Sequence, residues 1–286
     1  MGVSVSCLPV SLFEEFFQGR LTLEQWSILA EQAGLTHIDI NRRCLMDMGP
    51  DRAAAEAARC RLPFLMVTTY SDFSNPDPEA RRRAVDAARE DARLTAALGA
   101  RYLRLTAGQH YPGQDARETV GHICDCFAAV LDTARRAGVG ILLENHSKPG
   151  AWQYPDFNFH MERMLLLWEA IRTLPIGINY DTANAFALGD WRRLMDAFGT
   201  RITTVHVNDL DSLAPLHFCC AGEGRVDLAE QFAALRARGF EGPFSLEEAG
   251  MEGRDAVRRA AANTLTLLAG AGYPTRRFSA AECDSH

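Results

Sequence analysis

The chain carries eight cysteines but no CxxC pair and no regular cysteine framework, and at 286 residues it is too long to need disulfide staples. Reduced thiols in a cytoplasm are the expectation. A basic stripe is also missing: the formal net charge is −7 and the arginines are interspersed with acids, which argues against nucleic acid as a partner. No stretch approaches the length of a membrane span, and MGVSVSCLPV is not a basic leader followed by a long apolar run, so no membrane partner is expected. Met1-Gly2 with Ser6 fits the loose myristoylation pattern, yet VSVSCLPV reads better as a buried first strand. Linkers rich in Pro, Gly or Ser are absent too. With 47% apolar residues the chain is expected to form a single domain over 1–273, followed by a tail at 274–286.

What is present is an alternation. Short apolar runs are followed by longer helical patterns eight times, the order of βα units around a parallel sheet. The runs are VSVSC (3–7), THIDI (36–40), FLMVTTY (64–70), YLRLT (102–106), GILLE (140–144), IGINYD (176–181), ITTVHV (202–207) and FSLE (244–247). The first helix is predicted from Leu23, opened by Thr22 and Gln25 at capping-box spacing and closed by Gly34. An Ala-rich helix over Asp51–Arg61 should stop before Pro63, and a long amphipathic one should run from Pro78 to Leu98. Further helices are read in TVGHICDCFAAVLDTARRAG, MERMLLLWEAIRTL and DWRRLMDAFG, from Val226 or Asp227 onward, and over Asp255–Ala269. Eight of each fit an α/β fold of the (β/α)8 TIM-barrel type.

In such a barrel the C-terminal strand ends converge on one mouth. Glu144, Asp181, His206 and Glu247 end the fifth to eighth runs in succession. Any one of them could simply cap a helix or pair with an arginine. Four together are harder to explain that way, because carboxylates at one mouth repel each other and a cation removes the repulsion. Three carboxylates with one imidazole suit Mn²⁺ or Mg²⁺, with Co²⁺ and Zn²⁺ as alternatives. Strand alternation puts Arg104, Leu142, Asn179, Thr204 and Ser245 on the same inward face, with His146 and Asn208 in phase just beyond the strand ends.

The stretches LLENH (142–146), YDTAN (180–184), VHVND (205–209), GEGRVD (222–227) and GFEGPFSLE (239–247) resemble the sugar isomerase and epimerase superfamily with a xylose-isomerase-like barrel, which includes an apurinic endonuclease branch. RLTAG (104–108) is similar to a subgroup with an arginine ending the fourth strand. The resemblance implies that Glu144, Asp181, His206 and Glu247 bind the metal and that the two glutamates double as acid and base. It also implies a small carbohydrate substrate and a homodimer or homotetramer. Asn184 departs from the ketose 3-epimerases, which place a histidine three residues after the aspartate, and this weakens a free-ketohexose epimerase in particular.

The remaining substrate candidates stay open between two roles. Arg104 either binds a substrate hydroxyl or carboxylate or balances the acidic site. His146 is either an acid, which would suit β-elimination of water, or a hydrogen-bonded loop histidine. Trp152 and Tyr154 stack on a sugar or anchor their loop, and His217 faces the pocket or packs. Lys148 and Gln109 read as solvated, and Glu223 as loop structure. The dehydratase branch shares the metal and the proton abstraction. A nuclease would want histidines near Asp39, Thr68 and Thr69 and a basic groove, and the sequence offers neither. A non-catalytic sugar-binding barrel would keep the fold and lose the metal.

Overall fold

The computed structural model describes residues 2–46, 48–147 and 152–275. Lys148 and residues 276–286 of the expected tail lie outside the described residues. In chain order the strands are β1 (Val5–Pro9), β2 (Ile38–Asn41), β3 (Phe64–Thr68), β4 (Tyr102–Leu105), β5 (Gly140–Glu144), β6 (Gly177–Asp181), β7 (Ile202–Val207), β8 (Asp209–Leu213), β9 (Leu216–Cys219) and β10 (Phe244–Glu248). Eight of them form one sheet in the order β1-β10-β7-β6-β5-β4-β3-β2, parallel throughout. The seam between β1 and β2 is drawn together at Thr36. The Thr36 and His37 amides donate to Val5 O at 2.8 and 3.2 Å, and Val5 N donates to Thr36 Oγ1 at 2.9 Å. A single-domain (β/α)8 TIM barrel results.

The surrounding helices are α1 (Phe13–Phe17), α2 (Leu23–Gln32), α3 (Pro50–Ala57), α4 (Pro78–Ala97), α5 (Ala116–Ala137), α6 (Met161–Ile171), α7 (Thr182–Ala187), α8 (Trp191–Phe198), α9 (Leu228–Ala237) and α10 (Arg254–Gly270). Their apolar faces explain the packing. On α5, Val120, Ile123, Phe127, Val130 and Ala134 recur at helical spacing and are all buried. Each large side chain hidden this way stabilises the fold by about 1.5–3 kcal/mol. The capping box at Thr22 and Gln25 forms as the sequence predicts, and Gly34 follows α2 at φ 83°, a left-handed conformation that glycine adopts without strain.

Some boundaries differ from the sequence expectation. α3 stops at Ala57, short of Arg61, because its end tightens: Arg59 N donates to Glu56 O and Cys60 N to Ala57 O, bonds three residues apart, ahead of Pro63. α7 was not foreseen. It begins directly after β6, with the Asp181 side chain accepting from Asn184 N as its N-cap. The excursion after β7 contains the antiparallel hairpin of β8 and β9. β2 runs on to Asn41, so Asp39 sits one layer below the mouth instead of at the strand end. There it accepts hydrogen bonds from Ser6 Oγ at 2.6 Å, from Met66 N at 2.9 Å and from Ser245 Oγ.

Candidate metal centre

The register of β5, β6, β7 and β10 builds the site. Asp181 lies opposite His206 across β6 and β7, and Glu144 lies opposite Asn179 across β5 and β6. Alternation then turns Glu144, Asp181, His206 and Glu247 to one face. They meet at the mouth, where each offers a ligand atom within 4.8 Å of the others, and all four side chains are buried. His206 Nδ1 stands between the two glutamates, 3.4 Å from Glu144 Oε2 and 3.2 Å from Glu247 Oε2.

A ring of neutral groups orients the donors. Asn179 Nδ2 donates to Glu144 Oε2 at 3.0 Å and is itself steered by Thr204 Oγ1, which donates to Asn179 Oδ1 at 2.6 Å. Asp181 Oδ1 accepts from Asn184 N at 2.6 Å. Asn145 brackets the Asp181 backbone, donating to its O and accepting from its N at 2.9 Å each. Asn208 Nδ2 reaches Asp181 Oδ2 at 3.3 Å and Glu247 Oε2 at 3.4 Å. Arg104, 1% exposed, places Nε 2.8 Å from Glu144 Oε2 and Nη1 3.1 Å from Thr69 O, with its guanidinium over the Tyr70 ring.

The charges are strongly coupled. Burial by itself would raise the Glu144 carboxyl, but Arg104 and His206 outweigh it and hold the group down at about 2. Asp181 goes the other way. Burial together with Glu144 and Glu247 pushes it up to about 8. At His206, burial favours the neutral ring, yet Glu144 and Glu247 prevail and raise it to about 10.

Glu144 Oε1 and His206 Nε2 are buried without a hydrogen-bond partner among the described residues, while His206 Nδ1 has only the two glutamates near it. Buried polar atoms are normally paired. Their orphaning, in a set of three carboxylates and one imidazole, is what a divalent cation would resolve, so the residues fit such an ion.

The other expected residues distribute as follows. His146 is buried, with Nδ1 2.8 Å from Asp156 Oδ1. Trp152 donates its indole N–H to the same oxygen at 2.9 Å and sets its ring edge-on to Tyr70. Asn184 accepts from Ser147 Oγ at 2.9 Å. His217 lies on the hairpin, hydrogen-bonded to Asp211 and 69% exposed, which makes it a surface residue of β9 rather than a wall of the buried cluster. Glu223 pairs with Arg259 at 3.0 Å, in keeping with a loop role. Gln109, expected to be solvated, is buried: its side chain is taken up by bonds between loops. Tyr154 stacks edge-on against Tyr111. Asp156 had no signal in the sequence, since it lies in a loop outside the strand alternation; Tyr70 falls within the third apolar run, but β3 ends at Thr68 and leaves it in the following loop.

Fold and cluster together define a (β/α)8 barrel with a buried four-donor site suited to a divalent cation. The chain belongs to the xylose isomerase-like TIM barrel family, whose model matches residues 28–267. Among solved structures, an IOLI protein with a bound zinc atom superposes with a TM-score of 0.78 at 19% identity, over 93% of this chain and 98% of that one. L-ribulose 3-epimerase gives 0.73 at 18%, covering 95% and 96%. The probable 3-DHS dehydratase AsbF of Bacillus anthracis gives 0.70 at 15%, covering 91% and 97%. A curated relative, probable endonuclease 4 of Campylobacter concisus, is 25% identical over 128 residues, a match spanning 44% of this chain and 43% of the relative. Among the described residues no helix is long and apolar enough to cross a membrane.

Proposed function

We propose that the protein is a divalent-metal-dependent isomerase or epimerase acting on a ketose, keto-sugar or related polyol carbonyl compound. One observation carries this reading: Glu144 and Glu247 flank His206 Nδ1 in a buried cluster whose donor atoms lie within 4.8 Å of one another. Mn²⁺ or Mg²⁺ suits the oxygen-rich set, and the zinc bound by the IOLI protein makes Zn²⁺ a further candidate. When bound, the cation supplies Lewis-acid polarisation of the carbonyl and offsets the negative charge of the enediolate.

The chain's own residues do the proton work. One glutamate takes the proton from the α-carbon, the C–H electron pair becoming the C=C bond of the enediolate. The other returns a proton from the opposite face, which inverts the centre, or to the neighbouring carbon, which shifts the carbonyl as the hydroxyl proton passes to the former carbonyl oxygen. Arg104 keeps Glu144 ionised, and the Asn179–Thr204 pair fixes its rotamer. Barrel walls bury all four donors, so these charges act with little screening.

A dehydratase reading is favoured by one feature, the His146–Asp156 pair beside Glu144, an imidazole placed to donate a proton to a departing hydroxyl. A panel of ketoses, keto-sugars and inositol ketones in deuterated water separates the two outcomes. Deuterium uptake with retained mass balance supports the isomerase, and a rising enone absorbance supports the dehydratase. If the purified, metal-loaded protein does neither on any member of the panel, the proposal fails.

A further inference from the structure

Residues 108–110 and 155–157 run side by side in antiparallel sense at the barrel mouth. His110 N donates to Pro155 O at 2.7 Å, Phe157 N donates to Gly108 O at 2.8 Å, and Gln109 bridges to Asp156 between them. At the centre the Gln109 side chain is fully used. Its Oε1 accepts from the Gln153 and Tyr154 amides, both at 3.1 Å, and its Nε2 donates to Asp72 Oδ2 and Tyr111 Oη, both at 3.0 Å. One buried amide therefore ties together the loops after β3, β4 and β5.

The braced segment ends on Asp156. Its Oδ1 lies 2.8 Å from His146 Nδ1 and 2.9 Å from Trp152 Nε1, while the Tyr70 ring packs edge-on to both rings at 5.5 and 5.4 Å. Asp156 Oδ1 already accepts from the Trp152 indole, and facing His146 Nδ1 as an acceptor it selects the imidazole tautomer with the proton on Nδ1. His146 Nε2, on the opposite side of the ring, is buried and has no hydrogen-bond partner among the described residues.

We propose that Gln109 is a positioning residue: by bracing residues 153–157 it seats Asp156 on His146, fixing the tautomer and orientation that leave Nε2 for the substrate. The last clause rests on the dehydratase reading above, in which His146 meets the substrate; the bracing does not. Glutamine is the residue type the place requires. Glutamate would set a second carboxylate against Asp72, and methionine would fill the space without any of the four bonds.

The test is ¹⁵N NMR of the histidine-labelled full-length protein above the imidazole titration, with His146 assigned from His146→Gln. In the parent the expected pattern is protonated Nδ1 and bare Nε2. Gln109→Met is expected to move both resonances toward the averaged values of a free imidazole, with metal stoichiometry retained. Asp156→Asn should do the same, and the double variant should add nothing. Unchanged His146 resonances in Gln109→Met overturn the proposal. Should that variant not fold, Tyr111→Phe, which removes one acceptor of Nε2, is read instead: a smaller shift in the same direction supports the brace and an unchanged spectrum overturns it. Once a substrate is in hand, Gln109→Met should lower kcat by up to roughly 10²-fold with KM little changed. If the tautomer shifts in Gln109→Met but no substrate perturbs Nε2 in the parent, the brace stands and the dehydratase reading is what fails.

Discussion

A lone buried carboxylate and a buried cluster of three share the interior of this barrel, one layer apart, and they are built to opposite ends. On the floor, Asp39 is satisfied at both oxygens, by Met66 N on one side and by the hydroxyls of Ser6 and Ser245 on the other. At the mouth, Glu144 Oε1 and His206 Nε2 make no hydrogen bond among the described residues. Burial raises the carboxyl pKa at both places, but serine hydrogen bonds oppose it at Asp39 whereas further carboxylates reinforce it at Asp181. An unpaired buried polar group costs about 1–3 kcal/mol. The floor avoids that cost with protein groups; the mouth accepts it, leaving capacity for something that is not protein. Polar burial alone does not mark a site; unsatisfied polar atoms gathered within one cluster of four ligand-type side chains do.

The sharpest way to break this contrast is to mutate one carboxylate at each place. Asp181→Asn is expected to lose the divalent ion and about 10³-fold or more of the activity, while the metal-free fold keeps its stability near neutral pH because Asp181, at about 8, is already largely protonated there and asparagine is its neutral isostere. Asp39→Ala should do the reverse. Stripping the acceptor from Met66 N and two hydroxyls should cost about 3 kcal/mol of stability, with metal stoichiometry near that of the parent. Thermal melts of chelated protein and elemental analysis of the loaded protein read both outcomes. If Asp39→Ala empties the metal site and leaves the melt untouched, the division between floor and mouth is wrong.

Much of the mouth was legible because alternation is strict along a strand. GILLE and ITTVHV keep their expected limits as β5 and β7, and the four donors fall in phase at strand ends. The same logic misplaced Asp39, since one further residue of strand, to Asn41, lowers it by a layer. The loops were not legible. Gln109 reads as a solvated polar residue in sequence, yet its four partners come from three separate loops, contacts that no local pattern encodes. Asp156 lies twelve residues beyond Glu144 in a stretch without periodicity, and only the antiparallel pairing with 108–110 brings it to His146. His217 sits beside the VHVND stretch in sequence but is carried to the surface by the hairpin.

Protons offer a second way to sharpen the comparison. In the metal-free fold Asp181, at about 8, and His206, at about 10, both lie above their unfolded values, so each holds a proton that the unfolded chain would release. The contribution from Asp181 is complete below its unfolded value near 4 and is lost as pH rises through about 8. Metal binding requires both groups deprotonated, so it should release protons near neutrality and tighten as pH rises. Glu144, held near 2, stays ionised across this range and does not take part. The expected result is a urea midpoint that falls for chelated protein between roughly pH 6 and pH 9, while metal affinity by calorimetry climbs over the same window. Proton release of zero, measured in buffers of different ionisation enthalpy, would contradict the cluster's charge state.

The smallest effect concerns how the mouth keeps its shape. Asn208 donates to Asp181 and Glu247 over 3.3 and 3.4 Å, and its neighbour Asp209 anchors it from behind. The Asp209 carboxylate accepts four backbone N–H groups, from Leu210 at 2.9 Å and from Gly222, Gly224 and Val226 at 3.0 Å, which binds the GEGRVD loop to the start of β8. A Cβ at Gly224 would fall onto that carboxylate and onto Leu210 O, where backbone cannot give way cheaply. Groups that orient ligands typically cost 10–100-fold in metal affinity when removed, and the long bonds of Asn208 place it at the low end. Asn208→Ala is therefore expected to weaken metal binding about tenfold, and Gly224→Ala by less, through displacement of Asp209. Competition with a chromophoric chelator measures both. Should neither variant change the affinity, strand register alone sets the carboxylates, and the loop beyond β7 must be assigned to substrate rather than to the ion.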